Sequence, residues 1–133
     1  MTQRYLDQQR IAVDDDTGNV GIAEQGTAKT LKTAAISVSS SGDNTVVAAV
    51  ASKRIKVTSF SIQATGTVNC KWKDGAATNL TGAYNFQARE GLSEAANSPY
   101  YLFATTAGNA LVLNLSAGVS VVGRVTYYDS DAT

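Results

Sequence analysis

Residues 111–129 read LVLNLSAGVSVVGRVTYYD. Leu111, Leu113 and Leu115 occupy alternate positions, the small residues Ser116-Ala117-Gly118 interrupt them, and the alternation then resumes. In the second run Val119, Val121, Gly123, Val125 and Tyr127 share one parity, and Ser120, Val122, Arg124, Thr126 and Tyr128 share the other. Successive side chains of a strand point to opposite faces, so each run predicts a half-buried strand and the small residues predict a hairpin turn between them. The stretch has no His, no acid pair and no glycine-rich phosphate loop. It predicts a fold and no chemistry.

Working back from it, the same period recurs. AISVS (35–39) places Ile36 and Val38 on one face, and SGDN (41–44) predicts a hairpin turn because Gly, Asp and Asn tolerate left-handed backbone. TVVAAV (45–50) puts Val46, Ala48 and Val50 together. RIKVTSFSIQA (54–64) aligns Ile55 with Val57, then Phe60 with Ile62 and Ala64. The spacing slips by one at Thr58-Ser59, which predicts a β-bulge. TGT (65–67) turns the chain, and VNCKWK (68–73) points Val68, Cys70 and Trp72 inward. DGAATNLTG (74–82) and REGLSEAANSP (89–99) predict loops, with Tyr84 and Phe86 alternating between them. In YYLFATT (100–106) Tyr101 and Phe103 share a face, so Tyr100 points outward.

About eight short strands at 8–12-residue spacing predict an all-β fold, an antiparallel β-sandwich. A jelly-roll-like order is the first choice for eight strands in such a length, with an immunoglobulin-like order left open.

Composition changes near residue 34. Before it, apolar residues are sparse and unpatterned, and DDDTGN (14–19) and EQGTAKTLKT (24–33) separate them. Such a stretch buries too little to fold alone, so residues 1–33 are expected to form an extended N-terminal arm, either flexible or ordered by a partner, and residues 34–133 the sandwich. A short helix around QRYLDQQR (3–10), with Thr2 as its cap, is the one regular element expected in the arm.

The chain has 133 residues, 11 basic and 11 acidic side chains, no His and one Cys. The balanced charge gives no field toward nucleic acid or an anionic membrane, so neither is expected as a partner. Absence of His removes the commonest general base and zinc ligand, and one Cys makes no intrachain disulfide or thiolate cage. No cofactor and no catalytic set is expected. The opening residues lack the apolar run of an export signal, and no stretch approaches the roughly 18 apolar residues of a membrane span.

Each candidate for chemistry has a plainer reading. Asp14 and Asp16 suit the first positions of a calcium loop, but Gly18 stands where a third ligand belongs, so a solvated acidic stretch is expected. Cys70, between Val68 and Trp72 and without a His to activate it, reads as a buried structural thiol. Lys71, Lys73, Lys53, Arg54 and Lys56 read as solvated strand faces, since Trp72 has the opposite parity from the lysines beside it. Glu90 and Glu94 on a glycine- and serine-rich loop make a weak glycosidase pair. The tyrosine pairs 100–101 and 127–128 each put one ring inward and one outward, and an outward tyrosine suits a protein interface or sugar stacking.

The run from SSSGDNTVVAAVASKRIKVTSF through TVNCKWK, LTGAY and LNLSAGVSVVG resembles a recurrent class of small structural proteins of tailed bacteriophages. The resemblance spans Ile36 to Tyr128 and consists of strands and turns, so it specifies a fold better than an activity. It implies a β-sandwich on the outside of a virion, most plausibly a head decoration (cement) protein made in the host cytoplasm and bound to the major capsid protein. Similar domains occur in fibre and tail proteins, which keeps a glycan- or receptor-binding module as the rival reading. No catalytic residue belongs to the pattern. A homotrimer is expected, since jelly-roll domains of this size commonly associate about a threefold axis. The expected partner-binding residues are Arg4, Tyr5, Leu6, Ile11, Val13, Val20 and Ile22 of the arm, with the outward rings Tyr100 and Tyr128.

Overall fold

The structure, a computed structural model, describes residues 12–13, 20–24, 27–97 and 100–131. Three short strands, β1 (Ala12–Val13), β2 (Val20–Glu24) and β3 (Thr27–Lys29), pair antiparallel in a small sheet of their own. The sandwich follows: β4 (Lys32–Val38), β5 (Gly42–Val47), β6 (Lys53–Ala64), β7 (Val68–Asp74), β8 (Thr78–Asn79), β9 (Tyr84–Phe86), β10 (Gly91–Ala95), β11 (Phe103–Ala104), β12 (Leu111–Leu115) and β13 (Val121–Asp131). The first sheet has the order β10-β6-β13-β4, with β11 also on β6. The second has the order β5-β12-β7-β8, with β9 also on β7. Every pairing is antiparallel.

The winding is jelly-roll-like. β4 pairs the last strand and β5 the next to last, β6 pairs β10, and β7 pairs β9. The ladders β6·β13 and β7·β12 then close each sheet across this double-stranded ribbon. One consequence corrects two sequence expectations. SGDN and SAG are not hairpin turns: β4 and β5 lie in opposite sheets, and so do β12 and β13. Positive φ, which a two-residue hairpin turn requires, occurs at Gly42 but not at Gly118. An arch instead of a hairpin sets Leu111, Leu113 and Leu115 opposite Val121 and Val125 across the core, and all five are buried. A hairpin would have crowded both sets onto one face of one sheet.

The expected bulge is present. Ser59 pairs Thr126 and Val57 pairs Tyr127, so Thr58 has no opposite number. Its hydroxyl donates to the Thr126 carbonyl at 3.1 Å. Resetting the parity there lets Ile55 and Val57 face the same core as Phe60, Ile62 and Ala64. Two further expectations change. REGLSEAANSP contains a strand, β10, along the edge of β6. The β5 strand ends at Val47 after its own register shift, leaving Ala48 and Val50 exposed.

Trp72 is fully buried at the centre, its ring 5.4 Å from Phe60 in a T-shaped contact and 5.9 Å from Phe103. Its Nε1 has no acceptor among the described residues. An orphaned N–H costs about 1–3 kcal/mol, whereas burying 150–250 Å² of aromatic surface at roughly 25 cal/mol per Å² returns about 4–6 kcal/mol. Area wins. Cys70 is buried beside it, and burial pushes its thiol up to about 11.

Gly123 marks the closest approach of β13 to β6. A Cβ there would lie 1.8 Å from the Ser61 carbonyl oxygen. At the opposite end of the sandwich from the arches, Asp74 ties down the 105–110 loop. Its carboxylate accepts from Thr106 N at 3.0 Å, Thr106 Oγ1 at 2.6 Å and Asn109 Nδ2 at 3.0 Å. Burial alone would raise this carboxyl, but the bonds from Thr106 and Asn109 and the nearby Arg54 outweigh it and hold it below its ordinary value.

Gly123→Ala is expected to lower unfolding free energy by at least about 3 kcal/mol in urea melts, since backbone must move to admit the methyl. Gly82→Ala, with open space around it, should change stability by less than about 0.5 kcal/mol. Asp74 has a folded pKa below its unfolded one, so its contribution is complete above about pH 4 and is lost as pH falls through the folded value. Asp74→Asn should therefore cost about 1–3 kcal/mol at neutral pH and flatten the acid limb of stability against pH; an unchanged acid limb would contradict this role.

Candidate interaction surface

The two sheets present different outer faces. On the second sheet, strand parity sends Asp43, Asn114, Lys71 and Lys73 outward, and these groups engage one another. Lys73 Nζ lies 3.1 Å from Asp43 Oδ1, and Asn114 Nδ2 donates to the same oxygen at 2.7 Å. The Asn114 and Lys73 contacts hold the Asp43 carboxyl below its ordinary value. The Lys73 side chain is only 13% exposed, so it is less a solvated lysine than its sequence context predicts.

On the first sheet the register sets three outward rungs. Gly91, Gln63, Val122 and Ser37 form one. Ser93, Ser61, Arg124 and Ala35 form the next. Ala95, Ser59, Thr126 and Thr33 form the third. Arg124 is the single formal charge, and it makes no hydrogen bond or ion pair among the described residues. Two shallow grooves run over β6, of about 400 Å³ along Ser61–Gln63 and about 270 Å³ along Ser59–Ser61. At Gly91 β10 runs so close to β6 that a Cβ would stand 2.6 Å from the Ile62 carbonyl. Protein interfaces are depleted in Lys, Glu and Asp and retain Arg, and this face has that character.

A fourth rung closes the face. Lys56 pairs Tyr128, and the lysine amine lies 5.0 Å from the Tyr101 ring centre and 5.9 Å from that of Tyr128. Tyr128 is therefore 2% exposed, which corrects its expected role as a surface ring. It does have the outward parity, but Lys56 and Tyr101 pack over the sheet there. Tyr127 packs against the core, as its parity predicts. Tyr100 is 70% exposed and outward as expected; Tyr101 is 40% exposed instead of inward, its ring lying against the Lys56 amine and not in the core.

Arg4, Tyr5, Leu6 and Ile11 lie outside the described residues, as do the short helix expected at 3–10 and Asp14–Asp16. Val13 lies on β1, and Val20 and Ile22 lie on β2. The structure does not bring Tyr100 and Tyr128 together as a pair of exposed rings.

The sequence names Arg124, Glu94 and Arg89 but does not show the part each plays in the fold. Glu94 leaves the outer face by parity and accepts from Tyr84 Oη at 3.1 Å, joining the sheets at their open side. Burial, then Glu94, raises the Tyr84 phenol. Arg89 holds a left-handed φ of 70°. Its N–H donates to the Ala64 carbonyl at 2.8 Å and its carbonyl accepts from Gln63 Nε2 at 3.2 Å. The backbone is pinned to the end of β6 while the guanidinium stands in solvent. The strain is visible only in the folded chain. Among the described residues no group of three His, Cys, Asp or Glu side chains is placed to hold a metal ion, and no helix is long and apolar enough to cross a membrane.

No family model matches the chain, and no curated protein does. Among solved structures it is similar to a chain of the cyanophage Pam1 capsid asymmetric unit, at 15% identity over 88% of this chain and 97% of that one, TM-score 0.47. It is also similar to a chain from a structure of Bacillus endospore appendages, described as a novel family of disulfide-linked pili. There the identity is 14% over 86% of this chain and 99% of the other, TM-score 0.47.

Replacing Arg89 by Gly removes a strained left-handed residue, and stability should rise by about 0.5–1 kcal/mol despite the added freedom of the unfolded chain. A thermal melt checks this, and a lowered midpoint would show that the arginine side chain itself supports the fold.

Proposed function

We propose that this chain is a bacteriophage head decoration protein. It binds the exterior of an assembled shell through its N-terminal arm, associates as a homotrimer through the sandwich, and stabilises the shell without catalysing a reaction. The observation that carries the reading is the first sheet's outer face: its three central rungs bear one charge, Arg124, while on the second sheet's outer face Lys73 and Asp43 are paired with each other. A face of that kind suits contact with another protein surface more than solvent. The resemblance of residues 36–128 to small tailed-phage structural proteins supports the same reading.

The arm contributes in a different way. Residues 1–33 hold few apolar side chains and, ahead of β4, form only the small sheet β1–β3 among the described residues, so docking them on a partner adds contact area at an entropic cost. Three arms on one trimer would share that cost, because the second and third engage at high effective concentration. Weak single contacts then hold firmly together. The major capsid protein is the partner this arrangement suits, and the capsid exterior is the place. No cofactor, nucleic acid or membrane enters the mechanism.

A receptor-binding module of a fibre or tail is the second reading. The exposed Tyr100 ring, with Tyr101 steadied over Lys56, favours it as a stacking surface for a glycan.

Deleting residues 1–30 should abolish binding to shells lacking the protein, measured by co-sedimentation, while circular dichroism still shows a folded sandwich. Retained binding by the folded deletion, or a specific signal for the intact chain on a glycan array, would turn the assignment toward the second reading.

A further inference from the structure

The sandwich has four open sides, and three of them are blunted. The β5 edge carries the Asp43 carboxylate and a register shift at Val46. The β8 and β9 edge consists of two- and three-residue pieces. The β10 edge is five residues long, carries Glu94 and stops at Ala95, with β11 only two residues long beyond it. Short pieces, charges and irregularities are the usual means of keeping a sheet edge from pairing.

The β4 edge has none of these. It is seven residues long, pairs only β13, and from Thr33 to Val38 has no charge, Pro or Gly. Its one cation, Lys32, does not stand off the edge: Nζ reaches over the ladder to Asp129 Oδ2 of β13 at 2.7 Å. Thr33, Ala35 and Ser37 are exposed, and Ala34 and Val38 remain half-buried. Such an edge offers unpaired backbone donors and acceptors to any extended strand.

We propose that β4 is a self-association edge, pairing antiparallel with the β4 strand of a second copy about a twofold axis near Ala35. A second copy is favoured because, among the described residues, β4 is the one long open edge, so it is the complementary partner that the molecule itself supplies. Centred on Ala35, the pairing sets Thr33 opposite Ser37 of the second copy and Ala35 opposite Ala35, all small and uncharged. On the inner side Ala34 meets Ile36 of the second copy, extending the apolar layer past its present boundary. No like charges face each other. Seven residues of strand span about 24 Å, and such an edge contact buries on the order of 500 Å² in total, below the roughly 1,200 Å² of a stable interface. The contact is accordingly weak for one pair of chains and gains strength when many copies are held side by side. It is distinct from a threefold contact and would join one trimer to the next. It does not depend on the decoration reading.

Oxidative cross-linking of the full chain tests it. Cys70 is buried, so it does not compete for the oxidant. Ala35→Cys should yield a covalent dimer on mild oxidation at high protein concentration, at least tenfold more than Thr45→Cys, an exposed control on the β5 edge. Ala35→Lys should abolish the twofold step in mass at high concentration that the unmodified chain is expected to show by sedimentation equilibrium, with its melting temperature unchanged. Equal cross-linking at positions 35 and 45, or self-association undiminished in Ala35→Lys, would overturn the proposal. Binding of the unmodified chain to shells plays no part in either readout, so failure here and failure of the decoration reading are separate results.

Discussion

The ladder between β6 and β13 is the constraint on which the rest depends. These are the longest strands of the sandwich, at 12 and 11 residues, and they sit side by side in the middle of the first sheet. Their inward residues, Ile55, Val57, Phe60, Ile62, Val121 and Val125, make one wall of the core. Their outward residues make the centre of the candidate interaction face. Both uses require that the two backbones run close at Ser61, which Gly123 permits, and that Thr58 bulge so one strand serves a single core along its whole length. A side chain at position 123 would force the two strands apart, and a regular strand at position 58 would turn half of the wall outward.

Alternation made the strands legible in the sequence, and it did so best where one face is buried and the other wet. Val68, Cys70 and Trp72 are buried as their spacing implies, and the slip at Thr58-Ser59 is the bulge it suggested. Period two specifies which residues share a face but not which sheet a strand joins. That is why the turns at Gly42 and Gly118 read as hairpins when they are arches. The difference lies in long-range pairing, β4 with β13 and β5 with β12, and no local signal encodes it. The β10 strand was illegible for a related reason. GLSEA has little β propensity, and its partner strand β6 imposes the conformation.

The candidate face was legible only in part. Parity placed Arg124, Thr126 and Tyr128 on one side of β13, correctly, but parity says nothing about cover. Tyr128 has the right direction and the wrong exposure because Lys56, far from it in sequence, packs against it, with Tyr101 against the same amine. The poverty of charge on the first sheet became visible only when the register gathered residues from β4, β6, β10 and β13 into rungs. Each strand alone looks like an ordinary solvated one. Arg89 shows the same limit: its identity was plain, its left-handed backbone was not.

The pairing of the first sandwich strand with the last also fixes how the domain bears force. β4 and β13 run antiparallel, so Lys32 and Tyr127 face each other at one end while Val38 and Val121 face each other at the other. Tension between the arm side of β4 and the carboxyl-terminal side of β13 meets the ladder end-on and opens it one rung at a time. The Lys32–Asp129 pair and the first backbone bonds take the load first, while β6 still holds β13 from its other side. Tension applied instead along the strand axes, between the arm side of β4 and the arch at 116–120, would load the rungs of that ladder together. The domain is thus a zipper in one direction and a rivet in the other, and where a neighbour grips it decides which.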